Sequence, residues 1–314
     1  MNEDTQAIQA LKEIALEGLK EQRRARRWGI FFKLFFVGYL LFALGMMLGV
    51  GTNLNTPSST VSADKITAVV EIKGAIMDDS EASAELLIPS LRKAFEHPKT
   101  KGIILRINSP GGSPVQAGYI NDEIRRLKAQ YEDIPVYAVV MDMCASGGYY
   151  IAVAADKIYA DKASIVGSIG VRMDSFGAVD AMHKLGLERR LYTAGDNKGM
   201  LDPFLPENPA QVAHINSMLA VTHQQFIKVV KQGRGERLKD NPDIFSGLFW
   251  TGETAVELGL IDGLGSESYV ARELIGAETT VDFTAEKDLI QRLTEKVSVS
   301  MKTWLNYSLS LGWI

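Results

Sequence analysis

Ser146 stands in the stretch Asp142-Met-Cys-Ala-Ser-Gly-Gly-Tyr-Tyr150, which follows an apolar run at 135–141 and leads into small residues up to Ala155. The run reads as a buried strand and the small-residue stretch as a helix. A serine at such a junction, followed by two glycines, can be held on a tight turn with its hydroxyl exposed. The amide of Gly147 can then face whatever that hydroxyl attacks. The same residues also read as a plain helix N-cap, because serine is a favoured cap and Gly-Gly a common turn. The rest of the chain has to separate nucleophile from cap.

A serine nucleophile needs a base, since its free hydroxyl reacts weakly near neutral pH. Of the four histidines, His214 and His223 fall on a predicted long helix, and His97 and His183 lie beside helix ends. None is in a glycine-rich or strand-end setting, so all four read as structural or solvent-facing. Lysine replaces histidine in Ser-Lys dyads, provided burial or nearby positive charge disfavours its ammonium form. Lys198 is a candidate, in a small-residue loop after a predicted strand end at 191–195, although most lysines are solvated surface residues.

Two more stretches fit acyl transfer. Asn108-Ser-Pro-Gly-Gly-Ser113 ends a predicted strand, and Gly111 and Gly112 can bring amides close to a ligand as a second oxyanion donor. It also reads as an ordinary Pro-Gly turn. Val166-Gly-Ser-Ile-Gly-Val171 reads as a glycine-punctuated strand in which Ser168 could steady a buried lysine or act as a spacer. Cys144 lies two positions before Ser146, so on a regular strand both point to one side. The glycines after Ser146 still favour the serine as nucleophile.

The chain has 314 residues, 46% hydrophobic and 23% charged, enough for one or two domains. A net charge of -4 gives no electrostatic case for nucleic acid. The single cysteine excludes a disulfide within the chain and thiolate zinc sites. His-Glu-x-x-His is absent, which argues against a metallopeptidase, and the residues call for no metal or cofactor.

The elements around these residues fall into five segments. Residues 1–28 hold a mixed-charge helix candidate and the basic patch Lys20-Glu-Gln-Arg-Arg-Ala-Arg-Arg27. Residues 29–51 are apolar but for Lys33, long enough for the ~20 residues of a transmembrane helix. Arginines precede this run and none follow closely, so the positive-inside rule puts the N-terminus in the cytoplasm and the rest outside. A cleaved signal peptide is the alternative, but its apolar region would be only ~7–15 residues. Gly45 and Gly49 match Gly-x-x-x-Gly, a weak helix-pairing signal. Residues 52–64 read as a linker, 65–285 as the folded domain, and 286–314 as an amphipathic tail.

Within the domain, strands are expected at 66–72, 102–107, 136–141 and 157–159. Helices are expected at 81–95 with a break at Pro89, and at 115–131, 178–185, 210–232 and 251–259. This alternation argues for an α/β fold with a parallel sheet core and right-handed crossovers. No internal repeat is visible.

Taken together, Ser-Pro-Gly-Gly at 109–112, Ala-Ser-Gly-Gly-Tyr-Tyr at 145–150, Val-Gly-Ser-Ile-Gly-Val at 166–171, Thr193-Ala-Gly-Asp-Asn-Lys198 and the later Thr-Gly-x-x-Ala-x-x-x-Gly-Leu-Ile-Asp ending at Asp262 carry a resemblance. In this order they resemble the signal peptide peptidase A (SppA, protease IV) family, over roughly residues 66–277. The resemblance implies a crotonase/ClpP-like fold, Ser146 as nucleophile and Lys198 as general base. It further implies that Ser168 orients the lysine and that Gly111, Gly112 and Gly147 form the oxyanion hole. Long members hold two copies of the module and this chain has one. Short members form homo-oligomeric rings whose serine and lysine come from adjoining protomers. Relatives often carry a small residue where Cys144 stands.

The expected function is therefore a membrane-anchored serine endopeptidase with a Ser-Lys dyad. It would cleave signal peptides and other unfolded apolar peptides on the outer, periplasmic side of a bacterial inner membrane. Two other classes remain open from the residues: an acyl-CoA enzyme of the same superfold, and a non-catalytic membrane scaffold. No basic cluster for CoA phosphates supports the former, and an intact Ser146/Lys198 pair argues against the latter.

Overall fold

A computed structural model describes residues 20, 22–24, 26–43 and 63–285. The chain forms two compact units, Met1–Ser62 and Ala63–Ile314. In the first, residues 26–43 form helix α1, with Trp28 stacked on Phe32 and Phe31 on Phe35 at one-turn spacing. Its large apolar side chains are exposed. No described helix is long and apolar enough to cross a membrane. The candidate span at 29–51 continues through 44–51, which includes Gly45 and Gly49 and lies outside the described residues. The same is true of most of 1–28, of the linker to residue 62 and of the tail from 286.

The second unit is built on an eight-stranded sheet ordered β6-β5-β3-β2-β1-β8, with β4 on β3 and β7 on β4. Three apolar runs make its centre: β1 (Ile66–Lys73), β2 (Thr100–Ser109) and β3 (Val136–Ala145), paired in parallel. Their burial on both faces explains why they read as continuous apolar stretches. β3 forks. Its first half pairs with β4 (Lys157–Ala160) and its second half with β5 (Ile165–Gly167), both parallel. β6 (Phe249–Thr251) closes one edge antiparallel to β5, while β8 (Thr280–Asp282) closes the other, parallel to β1. The short β7 (Gly263–Leu264) lies beside β4.

Helix α2 (Ala84–Glu96) packs Leu87, Leu91 and Phe95 into the core. It runs through Pro89, where the sequence suggested an interruption. A proline removes one hydrogen bond from a helix, but these buried contacts and the Ser90 hydroxyl, donating to the Leu86 carbonyl at 2.9 Å, carry the helix across it. Helix α3 (Pro114–Gln130) starts with Ser113 as N-cap and a proline at the first position, as helix chemistry favours. Helix α4 (Gly147–Ala152) follows the β3 end, and α5 (Val179–Lys184) is a short helix with no buried residue. Helix α6 (Pro209–Arg234) buries Phe226, Val230 and Arg234, and α7 (Gly252–Glu257) follows β6.

Two strand expectations fail. Residues 191–195 are not a strand, because among the described residues no strand lies beside them to complete a ladder, and Leu191 and Tyr192 are exposed. The 166–171 strand stops at Gly167, because Ser168 takes φ 54 and leaves the ladder.

Candidate active site

The site sits where β3 hands over to α4. Ser146 has φ 50 and ψ -120, a backbone conformation that L residues rarely adopt. Such positions cost on the order of 1–3 kcal/mol and persist only where surroundings over-determine them. Here the Ser146 amide donates to the Gly167 carbonyl at 2.8 Å, and its own carbonyl accepts from the Tyr150 amide at 2.9 Å. Its hydroxyl makes no capping bond, so the serine fills the N-cap position without using its side chain as a cap. The turned backbone also breaks strand alternation. Cys144 is fully buried in the core while Ser146 lines a cavity, so the two do not share a side. Burial pushes the Cys144 thiol upward and keeps it neutral, so of the two side chains only the Ser146 hydroxyl faces the cavity.

The glycine loop after β2 comes up against this turn. Gly111 has φ 95, and a side chain there would collide with the Gly147 nitrogen at 2.6 Å and with Ser146 Cβ at 2.7 Å. Gly112 lies against residue 76, where an added Cβ would stand 2.2 Å from the Ile76 carbonyl oxygen. A Cβ on Gly147 would stand 3.2 Å from the Gly112 nitrogen. Only glycines allow this approach. The Gly111 amide donates to Ser109 Oγ at 3.1 Å, whereas the amides of Gly112 and Gly147 have no partner among the described residues. Two free donors therefore converge beside Ser146, as an oxyanion requires.

The cavity at Ser146 encloses about 760 Å³. Its walls include Pro114 and Ala117 of α3, Tyr150 of α4, and Thr222, Gln225 and Phe226 of α6. The Tyr150 and Phe226 rings meet at 5.2 Å. Ser168 also lines it, its amide held by the Leu248 carbonyl at 2.7 Å. None of the four histidines lines it; His223 turns Nε2 to the Ile169 carbonyl at 3.2 Å. Among the described residues no lysine or carboxylate lines this wall either.

Lys198 lies elsewhere. It is exposed and lines a separate, open hollow with Arg189, Leu201 and Phe204, in the segment that carries α5. The fold of this chain gathers Ser146, Ser168, Gly111, Gly112 and Gly147 around one cavity and leaves Lys198 outside it.

Sequence reasoning missed the anchor behind the cavity wall. Arg234, at the end of α6, is fully buried; it donates to the Gly259 carbonyl at 2.9 Å and to Asp262 at 2.7 Å. Tyr149 donates its hydroxyl to the Leu260 carbonyl at 2.6 Å, so the nucleophile helix is tied to the same strip. Burial alone would raise the Asp262 carboxyl, but the hydrogen bond and charge of Arg234, with the Ile158 amide and the charge of Arg237, together outweigh it and hold the group below its ordinary value. Gly-Leu-Ile-Asp262 was visible as a motif, but its buried arginine partner stands 28 positions earlier on another element.

The model of Peptidase family S49 matches residues 128–280. A putative protease of Synechocystis is 30% identical over 211 residues, spanning 67% of this chain and 73% of that protein. The chain belongs to peptidase family S49. A putative signal peptide peptidase SppA of Enterococcus faecium is 29% identical over 212 residues, 65% of this S49 chain and 61% of that protein. The Na(+)/H(+) antiporter NhaA of Brucella melitensis is 46% identical over 213 residues, 66% of this chain but only 29% of the antiporter. The S49 match takes in Ser146, Ser168 and Lys198, and Gly111 and Gly112 stand ahead of it.

Proposed function

We propose that this S49 chain is a membrane-anchored serine endopeptidase whose dyad is shared between protomers of a homo-oligomeric ring. The carrying observation is the pair of unpartnered amides, Gly112 and Gly147, converging on a serine held at φ 50. Ser146 Oγ attacks the scissile carbonyl and passes its proton to Lys198 Nζ. The developing oxyanion lies against the two amides, where one donor is worth ~10²–10³ in rate. Collapse expels the amine, which takes the proton back from Lys198. Water then hydrolyses the acyl-enzyme by the same proton path in reverse.

The base comes from a neighbour because the cavity wall of one protomer offers no group to take the proton. The guanidinium of Arg172 offers donors only, and burial raises the Tyr150 phenol. Lys198 sits on an exposed arm whose apolar side chains include Phe176, Leu185 and Tyr192. Docked into the next cavity, it would leave water, which disfavours its ammonium form and makes it a base. Ser168, already on the cavity wall, would steady it.

Signal peptides freed from the membrane and other unfolded apolar segments are the proposed substrates, in keeping with the similarity to a putative signal peptide peptidase of Enterococcus faecium. The apolar run 29–51, behind exposed Arg23, Arg24, Arg26 and Arg27, would hold the domain on the periplasmic face. That a 213-residue part of this chain is similar to a Brucella antiporter fits work beside a membrane. Family membership favours this reading over an acyl-CoA enzyme or a scaffold.

Mixing tests the shared dyad. Ser146→Ala and Lys198→Ala chains should each be inactive on a peptide ester. Equal amounts reassembled together should regain about a quarter of wild-type activity, because in a head-to-tail ring one interface in four joins an intact serine to an intact lysine. Full activity in either single variant removes the dyad, and no recovery on mixing places both residues in one protomer.

A further inference from the structure

We infer that Ser109 is a positioning residue, the latch that presents the Gly112 amide to the oxyanion; this rests on the peptidase reading above. Ser109 is fully buried at the end of β2, where the register against β3 slips between Ile107 and Ser109. Its hydroxyl works in both directions. It donates to the Gly74 carbonyl at 2.6 Å and accepts from the Gly111 amide at 3.1 Å. One side chain thus ties the loop after β2 to the end of β1.

The amides of the loop can be accounted for one by one. Pro110 has none. Gly111 gives its amide to Ser109, and Ser113 gives its own to the Ile76 carbonyl at 2.7 Å. The Gly111 carbonyl accepts from Ile76 at 3.0 Å. Among the described residues only the Gly112 amide of this loop is left over, and the bonds around it fix its direction. Remove the Ser109 hydroxyl and Gly111 loses its acceptor, at a residue whose φ of 95 gives the backbone ample freedom to turn.

Ser109 also touches the other half of the hole. A Cβ on Gly148 would stand 3.2 Å from the Ser109 carbonyl oxygen and 3.3 Å from its Cβ, so the first turn of α4 rests on this serine. The two donors, Gly112 and Gly147, are thereby referenced to one buried residue. Donors aligned before the reaction need no reorganisation when charge develops, which is why a misdirected amide affects turnover more than substrate binding.

The test is steady-state kinetics of the full chain on a peptide ester, with competent sites counted by a fluorophosphonate. Ser109→Ala should lower kcat per labelled site about tenfold to a hundredfold, less than loss of a whole donor, with KM within about twofold. A peptide aldehyde, which places an oxyanion in the hole, should lose affinity by the same factor, and the matching peptide alcohol should not. Ser90→Ala is the control, because Ser90 is another buried serine with two backbone partners, Leu86 and Ala285, and lies outside the site. It should destabilise the chain yet keep kcat per site. If Ser109→Ala does not fold, Ser109→Cys, which keeps the size and a weaker donor and acceptor, carries the same comparison. An unchanged kcat per site, or equal losses for aldehyde and alcohol, overturns the inference. Activity surviving Ser146→Ala would instead overturn the peptidase reading itself.

Discussion

The two halves of the proposed dyad are built differently. The Ser146 half is a buried frame in which Cys144, Tyr149, Ile107 and Ser109 are fully enclosed and the loop amides of Gly111 and Ser113 have fixed partners. The segment around Lys198 is the opposite. Tyr192 is 89% exposed, Phe176 75% and Leu185 73%, and its helix α5 buries nothing. Nucleophile and oxyanion donors must be placed to fractions of an ångström before substrate arrives, and a core does that. A base supplied from outside needs only a surface that docks. On the proposed reading, the contrast teaches that each chain contributes a rigid receptor to one site and an exposed arm to the next.

The sharpest attempt to break that contrast strikes the rigid half. Gly112→Ala puts a methyl carbon where the Ile76 carbonyl oxygen already is, so the loop has to move. Ester turnover per labelled site should fall by ~10²–10³, as for loss of one oxyanion donor. Near-normal kcat would mean that the loop is as pliant as the arm.

A smaller effect is expected from the arm. Phe176→Ser and Tyr192→Ser change exposed side chains, so the unfolding midpoint of the folded domain should scarcely move, such surface changes usually lying within about 0.5 kcal/mol. Assembly, followed by sedimentation, should weaken about tenfold or more, as when aromatic anchors are cut from an interface. Activity at low protein concentration should fall with it and return as concentration rises. Unaltered assembly would show that the arm docks nowhere.

The smallest change in turnover concerns acid. Asp262 has its carboxyl held below the ordinary 3.8 by Arg234 in spite of burial. A lowered folded-state value stabilises the fold fully above about pH 4 and loses that contribution as pH falls through the folded-state value. Urea midpoints should therefore drop below pH 4, and Asp262→Asn should be less stable at pH 7 with a shallower acid decline. At pH 7 and low temperature its kcat should stay near wild type. An unchanged acid limb would remove Asp262 from the frame.

What the sequence made legible follows the same divide. Apolar runs at β1, β2 and β3 and glycine pairs beside them locate the frame, because burial on both faces and close backbone approach leave compositional marks. Helix α3 shows in the apolar spacing of Ile120, Ile124 and Leu127, and α6 in the Pro-Glu-Asn-Pro stretch before it. Less could be read where meaning depends on distant partners. Ser109 looks like any turn serine until Gly74 is brought beside it, and Arg234 like any surface arginine until Asp262 is. The arm misled in another way. Leu191 and Tyr192 have strand-forming side chains, but β propensity expresses itself only against a neighbouring strand. Ser168 was expected inside a strand because nothing local announces a positive φ at a serine.

The fork in β3 carries a consequence in time. Ser146 takes its shape from Gly167 on β5 and from a loop that ends β2, and parallel neighbours of this kind pair late, after long intervening stretches of chain have closed. A growing chain therefore carries a serine without an elbow until β5 has docked on β3, and the proposed hydrolysis has to wait for that pairing.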